Sequence, residues 1–431
     1  MRLVRNILLI LVLVVLSFGT GFNLGSKRQE RVTVVSFSAA DKERARGKEL
    51  DFSLFWDVWD RLYTYYLVKS DLEPQKMIYG AISGMVAALG DPYTVFLSPE
   101  QNEEAKDDLG GRFEGIGAQL GIKDKKIVVV APLKNSPAEE AGLSSGDWIV
   151  KVDGKETLNW TLPEVVSKIR GPKGSKVRLS VIKTGAENSQ DLDVLRDEIK
   201  VASVEWEEFL VNCQGGKNED QFRCQEYEND CQSCQTIFYL KLSRFGDNTN
   251  NEWSKVVNEI NDRRSKLPVK KKLGLIFDVR NNPGGYLTGS VFIASEFIAS
   301  GEVVTQENAD GTKKTYKVNR QGKLTDIPMV VLINKGSASA SEIVAGALKV
   351  RKDVPLVGET SFGKGTIQEA QDLAEGAGIH ITTAKWLLPD KSHLNGEGIK
   401  PDVMIENDEN NPESDLQLDR AIDTLYQHNS Q

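Results

Sequence analysis

Apolar residues recur at helical spacing in two stretches near the start of the chain: Phe55, Trp59, Leu62, Tyr63 and Tyr66, then Met77, Ile78, Ala81, Ile82, Met85 and Leu89. Both patterns predict amphipathic helices, and the turn Gly90-Asp91-Pro92-Tyr93 stops the second. The aromatic stripe reads as core packing between the two helices, with a homodimer contact as the sharper alternative. From about Arg112 to Asp197 short strands predominate, with one helix at Leu162 to Ile169. Further on, apolar runs end in turns of small residues and helical patterns follow. Leu273 to Val279 reads as a buried strand, which Arg280-Asn281-Asn282-Pro283-Gly284-Gly285 turns into a helix from about Leu287 to Ala299. Ile327 to Asn334 passes through Gly336 into a helix from Ser341 to Val350, and a short strand, Val354 to Gly358, runs into Ser361-Phe362-Gly363-Lys364-Gly365. The pattern is that of an α/β multidomain protein.

One stretch departs from it. Asn6 to Ser26 is uncharged, and as a helix it would span roughly 30 Å, about one bilayer core. Arg2 and Arg5 precede it and Lys27, Arg28 and Arg31 follow, so flanking charge does not set its orientation. It is expected to be a membrane anchor, or alternatively a signal segment cleaved near Ser17-Phe18-Gly19. Either way the body would lie outside the cytoplasm, beyond a polar linker over 27–49.

The 40% hydrophobic and 27% charged residues are ordinary for a globular chain of two or three domains. A formal net charge of −8 argues against nucleic acid, which needs clustered Lys and Arg. No nucleotide-binding loop or metalloprotease helix motif occurs, and neither a cofactor nor a catalytic metal is expected. Cys213, Cys224, Cys231 and Cys234 fall in a polar segment, 212–235, that cannot build its own core. In an exported chain this predicts two disulfides with three possible connectivities. A four-thiolate zinc site is the alternative, though the spacing contains only one close pair.

The stretch from Lys335 to Gln368, KGSASASEIVAGALKVRKDVPLVGETSFGKGTIQ, holds the candidate chemistry. A serine at the start of a helix lies where unpaired N–H groups and the positive dipole end favour an oxyanion. The three histidines, His380, His393 and His428, stand in no recognisable triad setting, so a serine would need another base. A lysine serves only if burial lowers its pKa from about 10.4 to about 7–8. Lys364 lies between two glycines near Phe362 and Ile367, and the neutral Gln368 can orient an amine without stabilising its charge.

GSASASE followed by GETSFGKGTIQ resembles the signature of the carboxy-terminal processing peptidases, or tail-specific proteases, which use a serine/lysine dyad. The resemblance implies Ser339 as nucleophile, Lys364 as general base and Gln368 as the residue orienting the lysine. It also implies an oxyanion hole from the N–H groups of Gly285, or less surely Gly284, and Ala340, and a crotonase-like or Clp-protease-like α/β core. Residues 111–197 resemble a PDZ domain, including Gly146-Asp147 to Gly154, with Gly115, Ile116 and Gly117 as the loop that holds a peptide C-terminus. Arg170, beyond the helix of that domain, is a candidate for a contact between PDZ and protease domains.

The expected organisation is a membrane segment over 6–26, a helical region over 50–110, the PDZ domain over 111–197, the protease core over 198–405 and an acidic tail over 406–431, read as a solvated helix from Asp415 to Tyr426. The function implied is an exported serine endopeptidase that takes proteins by their C-termini. A membrane-tethered PDZ adaptor or chaperone without catalysis is the alternative.

Overall fold

The computed structural model describes residues 51–123, 126–133, 135–158, 160–214, 223–227, 234–268, 273–407 and 414–428. The uncharged stretch 6–26 and the linker 27–49 lie outside them. No described helix is long and apolar enough to cross a membrane.

Helix α1 (Ser53–Tyr65) has no buried residue. Its aromatic side chains stack along the helix instead, Phe55 on Trp59 and Trp59 on Tyr63, so the stripe does not form the core that its spacing predicts. In α2 (Pro74–Ala87), Tyr79, Ile82 and Val86 pack with Phe96 and Ile379. Strand β1 (Val95–Leu97) leads into α3 (Pro99–Gly110), whose first turn is closed by a capping box of Ser98 and Gln101.

The next domain enters through β2 (Arg112–Gly115) and leaves through β9 (Asp197–Lys200), which pair antiparallel. Between them lie β3 (Ala118–Lys123), β4 (Lys126–Pro132), the single helical turn α4 (Pro137–Glu140), β5 (Trp148–Val152), β6 (Lys155–Glu156), α5 (Leu162–Ile169), β7 (Lys176–Ile182) and β8 (Ser189–Leu195). The sheet runs β3-β4-β5-β7-β8, with β6 beside β5, over its own core of Val129, Ile149, Val165, Leu179 and Val181. Arg170 places its guanidinium 5.1 Å from the Phe113 ring centroid.

The core is built from β10 (Val204–Gln214), β11 (Arg223–Tyr227), β12 (Gln235–Leu242), α6 (Thr249–Ser265), β13 (Leu273–Asp278), α7 (Leu287–Phe297), β14 (Glu302–Asn308), β15 (Lys313–Lys317), β16 (Met329–Ile333), α8 (Ala340–Lys352), β17 (Leu356–Gly358), β18 (Thr366–Asp372), β19 (Gly378–Leu387), β20 (Val403–Met404) and α9 (Leu416–His428). Its main sheet has the order β11-β10-β12-β13-β16-β17-β20, parallel from β12 onward. Parallel strands covered on both faces read as unbroken apolar runs. Leu275, Phe277, Val331 and Ile333 face one core with α6, α7 and α8, while Ile276, Val330 and Leu332 face another with α9. A second sheet, β1-β19-β14-β15, carries β18 on β19.

The tail helix is therefore not simply solvated. Its stripe of Leu418, Ala421, Ile422 and Leu425 covers the sheet, with Ala421 and Leu425 fully buried, and its carboxylates Asp419 and Asp423 lie off that stripe. In the cysteine segment, Cys213 and Cys224 stand opposite each other in the β10–β11 register. Cys234 is buried and disulfide-bonded, while Cys231 lies outside the described residues.

Candidate active site

The turn from β16 into α8 leaves Ser339 at φ 54° and ψ −113°, a positive φ that a serine adopts only under constraint. The constraint comes from its neighbours. Ser337 and Ser341 are fully buried. Ser337 donates to the Val279 carbonyl at 2.8 Å and Ser341 to the Asn282 carbonyl at 2.9 Å, and the Ala338 N–H donates to the Asn282 carbonyl as well. The flanking serines thus fasten the turn to the glycine loop. Ser339 stands at the N-cap of α8 in a capping box with Glu342.

Asn282, fully buried, fixes the glycine loop by donating to the Leu242 carbonyl and accepting from the Gly284 N–H at 2.9 Å. That bond occupies the Gly284 N–H. The glycine has a steric role as well: a β-carbon there would come within 2.8 Å of Ser339 Cβ. The Gly285 N–H has no acceptor among the described residues. Ala340 is the first residue of α8, where an N–H lacks an intrahelical partner. The glycine loop lies against the serine turn, since an added Gly284 β-carbon would come within 3.0 Å of the Ala340 nitrogen.

Glu342 is no candidate in the sequence analysis above, yet its burial is complete. Its Oε2 accepts from the N–H groups of Ser339 at 2.8 Å and Lys364 at 3.0 Å, and its Oε1 from the Gly363 N–H at 2.7 Å and the Ser361 hydroxyl at 2.6 Å. One carboxylate thereby joins the serine turn to the lysine loop. The signal was present: Ser339 and Glu342 have the S-x-x-E spacing of a capping pair.

Lys364 is half-buried, and burial pushes its ammonium below the usual lysine range, although the Asp91 and Glu342 carboxylates oppose the shift. Its Nζ lies 5.0 Å from the Tyr93 ring centroid and makes no hydrogen bond to Ser339 among the described residues. Asp91 accepts from the Tyr93 N–H and the Thr94 hydroxyl, so the turn ending α2 delivers both an aromatic face and a carboxylate to the lysine. Gln368 is not bonded to Lys364. Its Nε2 donates to Thr366 and Thr382 hydroxyls at 2.9 and 3.1 Å. Burial and the Lys364 charge both push His380 below the ordinary histidine pKa, and His393 pairs with the Trp386 carbonyl, so neither sits as a base beside Ser339.

In the smaller domain Gly117 has φ 73°, and a β-carbon there would come within 2.5 Å of Ser136 Cβ. The Gly115-Ile116-Gly117 loop leads directly into β3, an edge strand of its sheet, which leaves one side open for an added strand.

The peptidase family S41 profile matches residues 236–405 and a PDZ profile matches residues 128–183. The carboxy-terminal processing protease CtpA of Bacillus subtilis is 37% identical over 79% of this chain and 67% of its own length. The carboxy-terminal-processing protease of Bartonella bacilliformis is 35% identical over 82% of this chain and 74% of its own. Among solved structures, one from Bacteroides fragilis assigned to the S41 proteases shares the fold at a TM-score of 0.56, covering 89% of this chain and 100% of that one at 14% identity. Identity of this order across four fifths of its length makes the chain a member of the carboxy-terminal processing peptidases, peptidase family S41, and a serine peptidase carrying a PDZ domain.

Proposed function

We propose that Ser339 is the nucleophile and Lys364 the general base of an endopeptidase that works through an acyl-enzyme. The observation that carries this reading is the strained Ser339 turn with two unpaired N–H groups beside it, joined through Glu342 to a half-buried lysine of lowered pKa. Neutral Lys364 takes the Ser339 proton as Oγ attacks the scissile carbonyl. The Gly285 and Ala340 N–H groups bind the oxyanion. The ammonium returns its proton to the leaving amine, and the lysine then activates the water that releases the acyl group. With Nζ over Tyr93, acylation first requires the lysine side chain to swing toward Ser339. The acceptor Gln368 Oε1 has no partner among the described residues and is available to orient the amine.

The PDZ loop at Gly115, Ile116 and Gly117 would hold substrate C-termini, and the body would act outside the cytoplasm, tethered through residues 6–26. Helix α1, with its exposed aromatic residues, is the candidate contact for a homodimer. A fluorophosphonate probe tests the catalytic reading. It labels the parent protein at Ser339, labels Ser337→Ala as well, and does not label Ser339→Ala. A protein that binds C-terminal peptides but takes no label would be the adaptor or chaperone instead.

A further inference from the structure

The first turn of α9 reaches the underside of the catalytic loops from the far end of the chain. Arg280, two residues before Asn282, grips Asp415 in a two-pronged fork, Nη1 to Oδ1 at 2.7 Å and Nη2 to Oδ2 at 2.8 Å, and reaches Asp278 Oδ2 at 2.6 Å. Its side chain is only 10% exposed. Asp415 Oδ1 also accepts from the Leu418 N–H at 3.0 Å and so caps α9. Gln417 is 1% exposed. Its Oε1 accepts from Arg280 Nη1 at 3.2 Å, and its Nε2 donates to the Ile405 carbonyl at 3.0 Å and to Glu359 at 3.3 Å. Glu359 follows β17, two residues before Ser361 of the lysine loop, and pairs with Lys335 on the serine turn at 2.7 Å. Two side chains of the tail thus hold the glycine loop through Arg280 and the serine and lysine loops through Glu359.

We infer that Asp415 and Gln417 are positioning residues for the peptidase reaction, setting where the Gly285 N–H stands relative to Ser339. Docking of the C-terminal helix is then a condition for catalysis and not merely for stability. The physical reason is the geometry of the fork. A planar guanidinium held by carboxylates on two sides cannot rotate, so its backbone, and the loop that starts there, is fixed in direction as well as in position. The inference rests on the Ser339 assignment proposed above.

The test compares Asp415→Asn and Gln417→Met with Leu425→Ala, which weakens the apolar docking of α9 without touching the fork. Three quantities are measured on the full chain: melting temperature, kcat and KM on a peptide substrate, and inhibition by a peptide boronate, whose tetrahedral adduct places an oxygen in the oxyanion hole. For Asp415→Asn and Gln417→Met, kcat falls about 10- to 100-fold and boronate affinity falls in parallel while KM holds, as expected for a displaced oxyanion donor. Asp415→Glu recovers part of the loss. Leu425→Ala lowers the melting temperature and keeps kcat at a temperature where it is folded. If Asp415→Asn and Gln417→Met melt early but keep kcat and boronate affinity, the residues are structural and the inference is wrong. If the parent has no activity that Ser339→Ala abolishes, the catalytic reading fails and takes this inference with it. A Ser339-dependent parent with indifferent Asp415→Asn and Gln417→Met variants overturns the inference alone.

Discussion

Replacing Glu342 by glutamine removes a charge and one acceptor oxygen from a site where every lone pair is in use. Oε1 serves the Ser361 hydroxyl and the Gly363 N–H, and Oε2 serves the Ser339 and Lys364 N–H groups. The amide nitrogen of glutamine would face donors on whichever side it took. A hydrogen bond to a charged group contributes about 1.5–3 kcal/mol, so the loss of two predicts a destabilisation of about 3–6 kcal/mol. Ser361 can turn its hydroxyl to accept from the amide, which places the outcome nearer the lower figure. At about 2–4 °C per kcal/mol for a domain of this size, the melting temperature falls by roughly 6–12 °C. Under the proposed mechanism activity suffers beyond stability, because one oxygen holds the backbone of both Ser339 and Lys364. A displacement of about 1 Å costs about 100-fold, so kcat/KM measured well below the melting temperature drops by that order. Affinity of the PDZ domain for a C-terminal peptide does not change, since Glu342 lies in the peptidase core. The assays are calorimetric melting, kinetics on a fluorogenic peptide and peptide binding by fluorescence anisotropy. A Glu342→Gln protein that melts within about 1 °C of the parent and keeps kcat/KM within about threefold would refute the linking role.

The pH profile of kcat/KM tests the base. If neutral Lys364 is the active form, as proposed, the rate should rise with pH through one ionisation placed below the ordinary lysine value by burial. Asp91→Asn removes a carboxylate that favours the ammonium and should move the profile to lower pH, whereas Gln368→Glu adds one and should move it to higher pH. An unmoved profile in both would show that Lys364 is not the titrating base. Ser337→Ala should keep the ability to cleave peptide while melting earlier, since its buried hydroxyl ties the turn to Val279, and Ser339→Ala should do the reverse. Peptide mapping of the unreduced protein should recover Cys213 joined to Cys224, opposite each other across the hairpin, and Cys231 joined to Cys234; four free thiols or bound zinc would contradict it.

The candidate residues Ser339, Ala340 and Gly285 stand out in the sequence because each lies in a local strand-turn-helix signal, and Lys364 because two glycines flank it between two short strands; turn chemistry is written in adjacent residues. The helix Leu162–Ile169 was legible for the same reason, with Thr161 and Glu164 closing its capping box. Gln368 shows where local reading stops. It lies four residues after the lysine on β18, whose pairing with β19 shifts register between Ile367 and Gln368. Its amide nitrogen donates to the Thr366 and Thr382 hydroxyls, and nothing in the spacing announces the bond to Thr382.

What the sequence determined by itself was the order of elements, the two kinds of domain and a small set of candidate side chains for the chemistry. Periodicity and turn residues act over a few positions, so they survive without the fold. The tertiary structure decided which groups meet. Glu342 reaches the lysine loop 22 residues away, the Asp91 turn supplies the lysine with a carboxylate and an aromatic face, and Arg280 finds Asp415 across 135 positions. The aromatic stripe of α1 looked like core and is exposed, whereas the acidic tail looked solvated and covers the sheet. A periodic apolar face states only that burial would be favourable. Whether a partner surface is present depends on contacts distant in the chain.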